Sequence, residues 1–155
     1  MKKLLILLFT SHLVFSQQNS EIKVGSEKMN EYIDKISNKS VGLLVNHSST
    51  VRSTHLIDTL ISKNINIKKI FSPEHGFTGK IERGKTVNED TLIIDEKIIP
   101  IVSMYGKTRI PSEESMKGLD IIIFDIQDVG TRFYTYISAM HNMMNICAEL
   151  GISFP

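Results

Sequence analysis

Apolar positions along the chain fall into short runs and helical stripes that alternate. "VGLLV" (41–45) is a continuous apolar run of strand length, the pattern of a strand buried on both faces. "STHLIDTLISKN" then places Leu56, Ile57, Leu60 and Ile61 at helical spacing, with Ser53 or Thr54 as N-cap. "INIKKIF" (65–71) reads as a second strand, and the Gly-, Lys- and Glu-rich residues 78–90 as a long loop. "TLIIDEKIIPIVSMY" predicts a hairpin-like segment at Asp95-Glu96 and a third core strand near 99–104. "PSEESMKGL" predicts a short helix capped by Ser112, with Glu113 and Glu114 complementing its dipole. "LDIIIFDI" (119–126) is the clearest strand, four apolar residues between two aspartates. A long helix follows from about Phe133 to Leu150, its core stripe expected at Ile137, Met140, Met144 and Cys147, with Gly151 beyond its end. "ISFP" reads as the start of a further strand.

Strands alternating with helices imply an α/β fold, a Rossmann-like parallel sheet with helices on both faces. Ligands of such sheets bind outside the carboxyl ends of the strands. Asn46-His47, Glu74-His75, Tyr105-Gly106 and the Asp125–Asp128 segment each follow a predicted strand, so all four clusters are expected at one edge.

Charge and composition then narrow the function. The chain has 155 residues, 41% hydrophobic and 23% charged, with a net charge of +1 and no Trp. Nothing in that balance points to nucleic acid. Residues 1–16 read as a signal peptide: Lys2 and Lys3 precede the apolar "LLILLFTSHLVF", and a cut is expected ahead of Gln17. Export, periplasmic or secreted, follows, with no stable membrane anchor; losing Lys2 and Lys3 takes the net charge from +1 to −1. Residues 17–38 form a polar N-terminal segment, and 39–155 the Rossmann-like domain. The single cysteine, Cys147, has no intrachain disulfide partner and is expected inside.

Two stretches carry the candidate chemistry. In "FSPEHGF" (71–77), Pro73 and Gly76 hold Glu74 and His75 on a turn. A carboxyl held in a partly dry cleft can serve as a general acid, whereas the plainer reading has Glu74 capping a neighbouring helix. His75 could orient Glu74, contact a substrate hydroxyl or bind a metal; His47 is a weaker case of the same kind. In "DIQDVGTRFYTY" (125–136), Asp125, Asp128, Arg132, Tyr134 and Tyr136 could bind an anionic, ring-shaped ligand. The plainer reading there has Asp128 capping the helix and Arg132 pairing with Asp125. "MYGKTRIPS" adds Tyr105, Lys107 and Arg109. No GxGxxG, GxxxxGK[ST], HExxH, CxxC or GxSxG is present, so no cofactor is expected.

"FSPEHGFTG", "IPIVSMYG" with "PSEESMKGLD" after it, "IIIFDIQDVGTRFYTYISAM" and "VGLLVNHSS" closely resemble the NamZ-type exo-β-N-acetylmuramidases from about residue 39 onward. The resemblance implies an exported glycoside hydrolase that releases terminal N-acetylmuramic acid (MurNAc) from peptidoglycan fragments during cell-wall recycling. It also implies a Rossmann-like N-terminal domain followed by a second domain, with the site between them. Glu74 then matches the family's catalytic glutamate, with Asp128 or Asp125 as second carboxylate; participation by the sugar's acetamido group is the alternative. Substrate contacts are expected from His75, Arg132, Tyr134, Tyr136, Asn46 and Tyr105. The family's chains are longer, so a truncated form with reduced or no activity is expected. Two rivals remain: a non-catalytic cell-wall binding module, and a metal-dependent hydrolase using Glu74, His75, Asp125 and Asp128.

Overall fold

The computed structural model describes residues 22–94 and 96–155; the expected signal peptide lies outside them. Strands β1 (Ser40–Val45), β4 (Asn66–Ser72), β6 (Lys97–Ser103) and β7 (Ile121–Asp125) join β5 (Asp90–Ile94) in one sheet of order β5-β6-β4-β1-β7. The pairs β1–β4, β1–β7 and β4–β6 are parallel, while β5 runs antiparallel to β6. The expected hairpin-like segment is therefore an edge hairpin, closed by the pairing of Ile94 with Lys97, and the sheet is mixed rather than wholly parallel. Such an antiparallel edge on a parallel sheet is common in α/β folds.

Helices cover both faces. On the first, α1 (Met29–Ile36) and α2 (Leu56–Ser62) bury Ile36, Leu56, Ile57 and Leu60 against Val41, Leu43, Val45 and Ile70. On the second, α3 (Glu113–Met116) and α4 (Tyr136–Leu150) bury Met116, Ala139, Met143, Ile146 and Cys147 against Leu44, Phe71 and Ile122. The alternation of β1 between these two clusters follows from the two-residue period of a strand. Ser153 bridges Ile121 in parallel, which continues the sheet beyond β7 as "ISFP" suggested.

Three local expectations need correction. The cap of α2 is His55, whose Nδ1 accepts from the Ile57 N–H at 3.2 Å. Thr54 instead joins His55 in β3, which pairs with β2 (Thr50–Val51) as a two-stranded ribbon. The inward stripe of α4 is Ala139, Met143, Ile146 and Cys147; Ile137 and Met144 are about half exposed. The helix is apolar on more than one side, and a small Ala139 faces the core where a larger residue drew the eye. Finally, α4 starts at Tyr136 rather than Phe133, leaving Phe133–Thr135 in the loop at the sheet edge. The expected ends hold elsewhere: Ser112 caps α3, Gly151 terminates α4, and Cys147 is buried, which pushes its thiol up to about 11.

Candidate active site

The turn after β4 is built around two successive left-handed residues, His75 (φ 70°) and Gly76 (φ 75°). A β-carbon makes that conformation unfavourable, so His75 must be held there by its surroundings. Its carbonyl accepts the Ile81 N–H at 3.1 Å, and its Nδ1–H donates to the Ile81 carbonyl at 2.8 Å. This reciprocal pair closes the 75–81 loop and leaves Nε2 as the ring's remaining polar atom. His47 serves the same loop by packing: a β-carbon on Gly79 would lie 2.1 Å from its Nδ1.

Glu74 is gripped at both of its oxygens. Oε1 accepts the Gly84 N–H at 3.1 Å, and Oε2 accepts the Thr135 hydroxyl at 2.6 Å. The Tyr105 hydroxyl stands close by and favours the charged carboxylate further. Burial pushes the carboxyl up, but these donors and the nearby His75 outweigh it and hold Glu74 below the usual carboxylate range. Tyr105 is raised in turn, chiefly by its neighbour Glu74. The Arg109 guanidinium lies 5.1 Å from the centre of the Tyr105 ring and fixes its far side. Thr135 stands at the N-cap position of α4, yet its hydroxyl goes to Glu74 and not to the helix. The plainer reading of Glu74 thus had the place right: the carboxylate sits at a helix N-terminus, where the dipole favours its charge.

Glu74, His75, Arg83, Phe133, Tyr134, Thr135 and Tyr136 line a cavity of about 320 Å³. Phe133 and Tyr134 stand at its mouth, 74% and 42% exposed, with ring centres 5.5 Å apart. Burial raises the Tyr136 hydroxyl, the neighbouring Asn46 opposes that, and Glu74 and Asp128 both add to the rise. Tyr136 therefore lies within the field of both carboxylates.

Asn46 is buried and works as a brace. Its Oδ1 accepts from the Ser48 N–H (2.9 Å) and hydroxyl (2.7 Å), and its carbonyl accepts from His55 Nε2 at 2.9 Å. Ser49 donates to the Asp125 carbonyl, and the Gln127 N–H donates to Ser48 Oγ at 3.0 Å. The loops after β1 and β7 are so tied together behind Tyr136.

Of the residues picked out in the sequence, Glu74, His75, Tyr134 and Tyr136 share the cavity, Tyr105 touches Glu74, and Asn46 backs Tyr136. Asp128 is on the exposed loop, its Oδ1 accepting the Gly130 N–H at 2.6 Å. It caps no helix, because α4 begins eight residues later. Asp125 is turned elsewhere. Ile121 and Ile123 point to the first face and Phe124 to the second, so strand alternation sends Asp125 to the first, beside Tyr32 and His55. Burial raises its carboxyl, His55 opposes that, and Oδ2 is buried without a partner. Arg132 is exposed, does not line the cavity, and forms no ion pair with Asp125. Glu74, His75, Asp125 and Asp128 do not assemble as ligands: among the described residues no cluster of three or more His, Cys, Asp or Glu could hold a metal ion.

Three contributors escaped the sequence reading: Thr135, the Gly84 N–H and Arg83. Thr135 was hidden inside the expected helix, and the other two in a segment read only as a connector. The sole signal for the latter was its position directly after the PEHG turn.

The N-terminal family model of the exo-β-N-acetylmuramidase NamZ matches residues 41–155. Over 127 residues the chain is 41% identical to the peptidoglycan β-N-acetylmuramidase NamZ of Bacillus subtilis (strain 168), covering 80% of this chain and 30% of that protein. Two crystal structures of DUF1343 family proteins from Bacteroides fragilis are also similar. One has a TM-score of 0.68 at 40% identity, covering 84% of this chain and 32% of the other. The second has a TM-score of 0.72 at 33% identity, covering 85% and 33%. The chain thus spans about a third of the length of these relatives. With the PEHG turn, the DIQDVG loop and the sheet edge they share all within the matched region, the chain belongs to the family of the N-terminal part of the exo-β-N-acetylmuramidase NamZ.

Proposed function

We propose that this chain carries the catalytic edge of an exo-acting glycoside hydrolase that releases terminal MurNAc from peptidoglycan fragments. The observation that carries the reading is Glu74: a carboxylate held by Gly84 and Thr135, beside Tyr105, at the carboxyl edge of the sheet, on the wall of a sugar-sized cavity. The Bacillus relative's name supplies the substrate class.

The hydrogen bonds favour the ionised form of Glu74, the reverse of what a general acid requires. We therefore assign Glu74 the anionic role, stabilising positive charge at the anomeric carbon or activating the attacking group, whether water or the sugar's acetamido oxygen. Asp128, in the same field at Tyr136, supplies the second carboxyl that glycoside hydrolysis uses. Phe133 and Tyr134 offer ring faces to the sugar. Export through residues 1–16 would bring the enzyme to its cell-wall substrate.

Incubation with a MurNAc-terminated disaccharide and with one terminated by N-acetylglucosamine, followed by mass spectrometry, tests the reading. Free MurNAc from the first substrate alone is expected. Release of neither sugar, or of both equally, would overturn it.

A further inference from the structure

Neither the candidate Arg132 nor the loop residue Arg109 is available to this cavity. Arg132 lies outside its lining, and Arg109 is stacked on Tyr105, with its carbonyl accepting from Asn142 Nδ2 at 3.0 Å. One arginine does line the cavity, Arg83. Its backbone is placed by the same bonds that hold Glu74. Residues Glu82–Lys85 form a turn closed by the Lys85 N–H on the Glu82 carbonyl at 3.1 Å, with Gly84 at φ 75°. The Gly84 N–H then docks this turn on Glu74. Arg83 is therefore one residue from an anchor on the catalytic carboxylate, and its charge reaches the Tyr105 hydroxyl. Among the described residues it pairs with no carboxylate: Glu74, the acidic residue in the cavity lining, is held by neutral donors instead.

A cation in an open cavity, next to an anion already satisfied, is arranged for an anionic group arriving with the ligand. We propose that Arg83 is the specificity-determining residue of this site, pairing with the carboxylate of an acidic sugar substituent. Resting on the reading above, the substituent is the lactyl group that distinguishes MurNAc from N-acetylglucosamine. A planar guanidinium suits a carboxylate bidentately, and it would also offset the repulsion between that carboxylate and Glu74.

Binding of free sugars separates this inference from turnover. Titration calorimetry would compare MurNAc with its lactyl amide, which keeps the shape and removes the charge. The unmodified chain should favour MurNAc by about tenfold or more, as charge-assisted pairing gives. Arg83→Gln should bring that ratio close to one, Arg83→Lys should leave an intermediate ratio, and Arg132→Gln should leave it unchanged. Arg83 is exposed, so an unchanged melting temperature checks that Arg83→Gln folds. No preference in the unmodified chain, a preference surviving Arg83→Gln, or one lost in Arg132→Gln would each overturn the proposal. Arg83-dependent preference without MurNAc release would instead count against the hydrolase reading alone.

Discussion

Glu74 concentrates the consequences of this fold in one side chain. Its folded-state pKa is lowered, so the native state binds its proton less tightly than the unfolded chain does. Its contribution to stability is thus present above the unfolded value and fades as pH falls through the folded one. If Glu74 acts as an anion, activity is retained down to that lowered value and declines below it. Tyr105→Phe removes a neighbouring hydroxyl that lowers the Glu74 carboxyl, so the acid limb of kcat/KM should move to higher pH; a limb that stays fixed would mean another group sets it. Asp125 has the opposite sign. Its raised pKa places a penalty on folding that is complete above the folded value and gone below the unfolded one. Asp125→Asn should therefore raise Tm by a few degrees at pH 7, with the gain shrinking towards pH 4. Equal gains at both values in thermal melts would contradict the burial of an unpartnered charge.

At the scale of elements, helix α4 gives the sharpest test of packing. Met143 is fully buried and Met144 is 45% exposed. Met143→Ala should cost about 2–4 kcal/mol, and Met144→Ala less than about 1 kcal/mol, in denaturant unfolding. Reversed costs would restore the stripe that spacing alone selects. The loop over the site has an equivalent test. A side chain at Gly79 meets both φ +70° and the His47 ring, so Gly79→Ala should destabilise the protein by more than about 1 kcal/mol. The strands were legible because "VGLLV" is buried on both faces and "IIIF" of β7 is buried or partly buried throughout, and burial of that kind leaves an unbroken apolar run. The direction of β5 and the facing stripe of α4 were not legible, since both depend on what lies alongside. Side-chain orientation at Asp125 was readable in principle, by counting alternation from Ile121; the acidic character of the residue drew attention from its direction.

For the molecule as a whole, the sheet edge explains why residues far apart in sequence act together. Parallel β1, β4, β6 and β7 bring Asn46, Glu74, Tyr105 and the Asp128 loop to one end, and the first residues of α4 complete the grip. That convergence was legible from element order alone. The partners of Glu74 were not, because Thr135 and the Gly84 N–H reach it through loop geometry that no periodicity encodes. In the proposed reaction this gripped carboxylate performs the chemistry. Glu74→Gln keeps the side chain's size and removes its charge, and the rate of MurNAc release from a MurNAc-terminated disaccharide measures the effect. A fall in kcat of about 100-fold or more is expected, with little change in Tm at pH 7. A rate within a few-fold of the unmodified protein would contradict it.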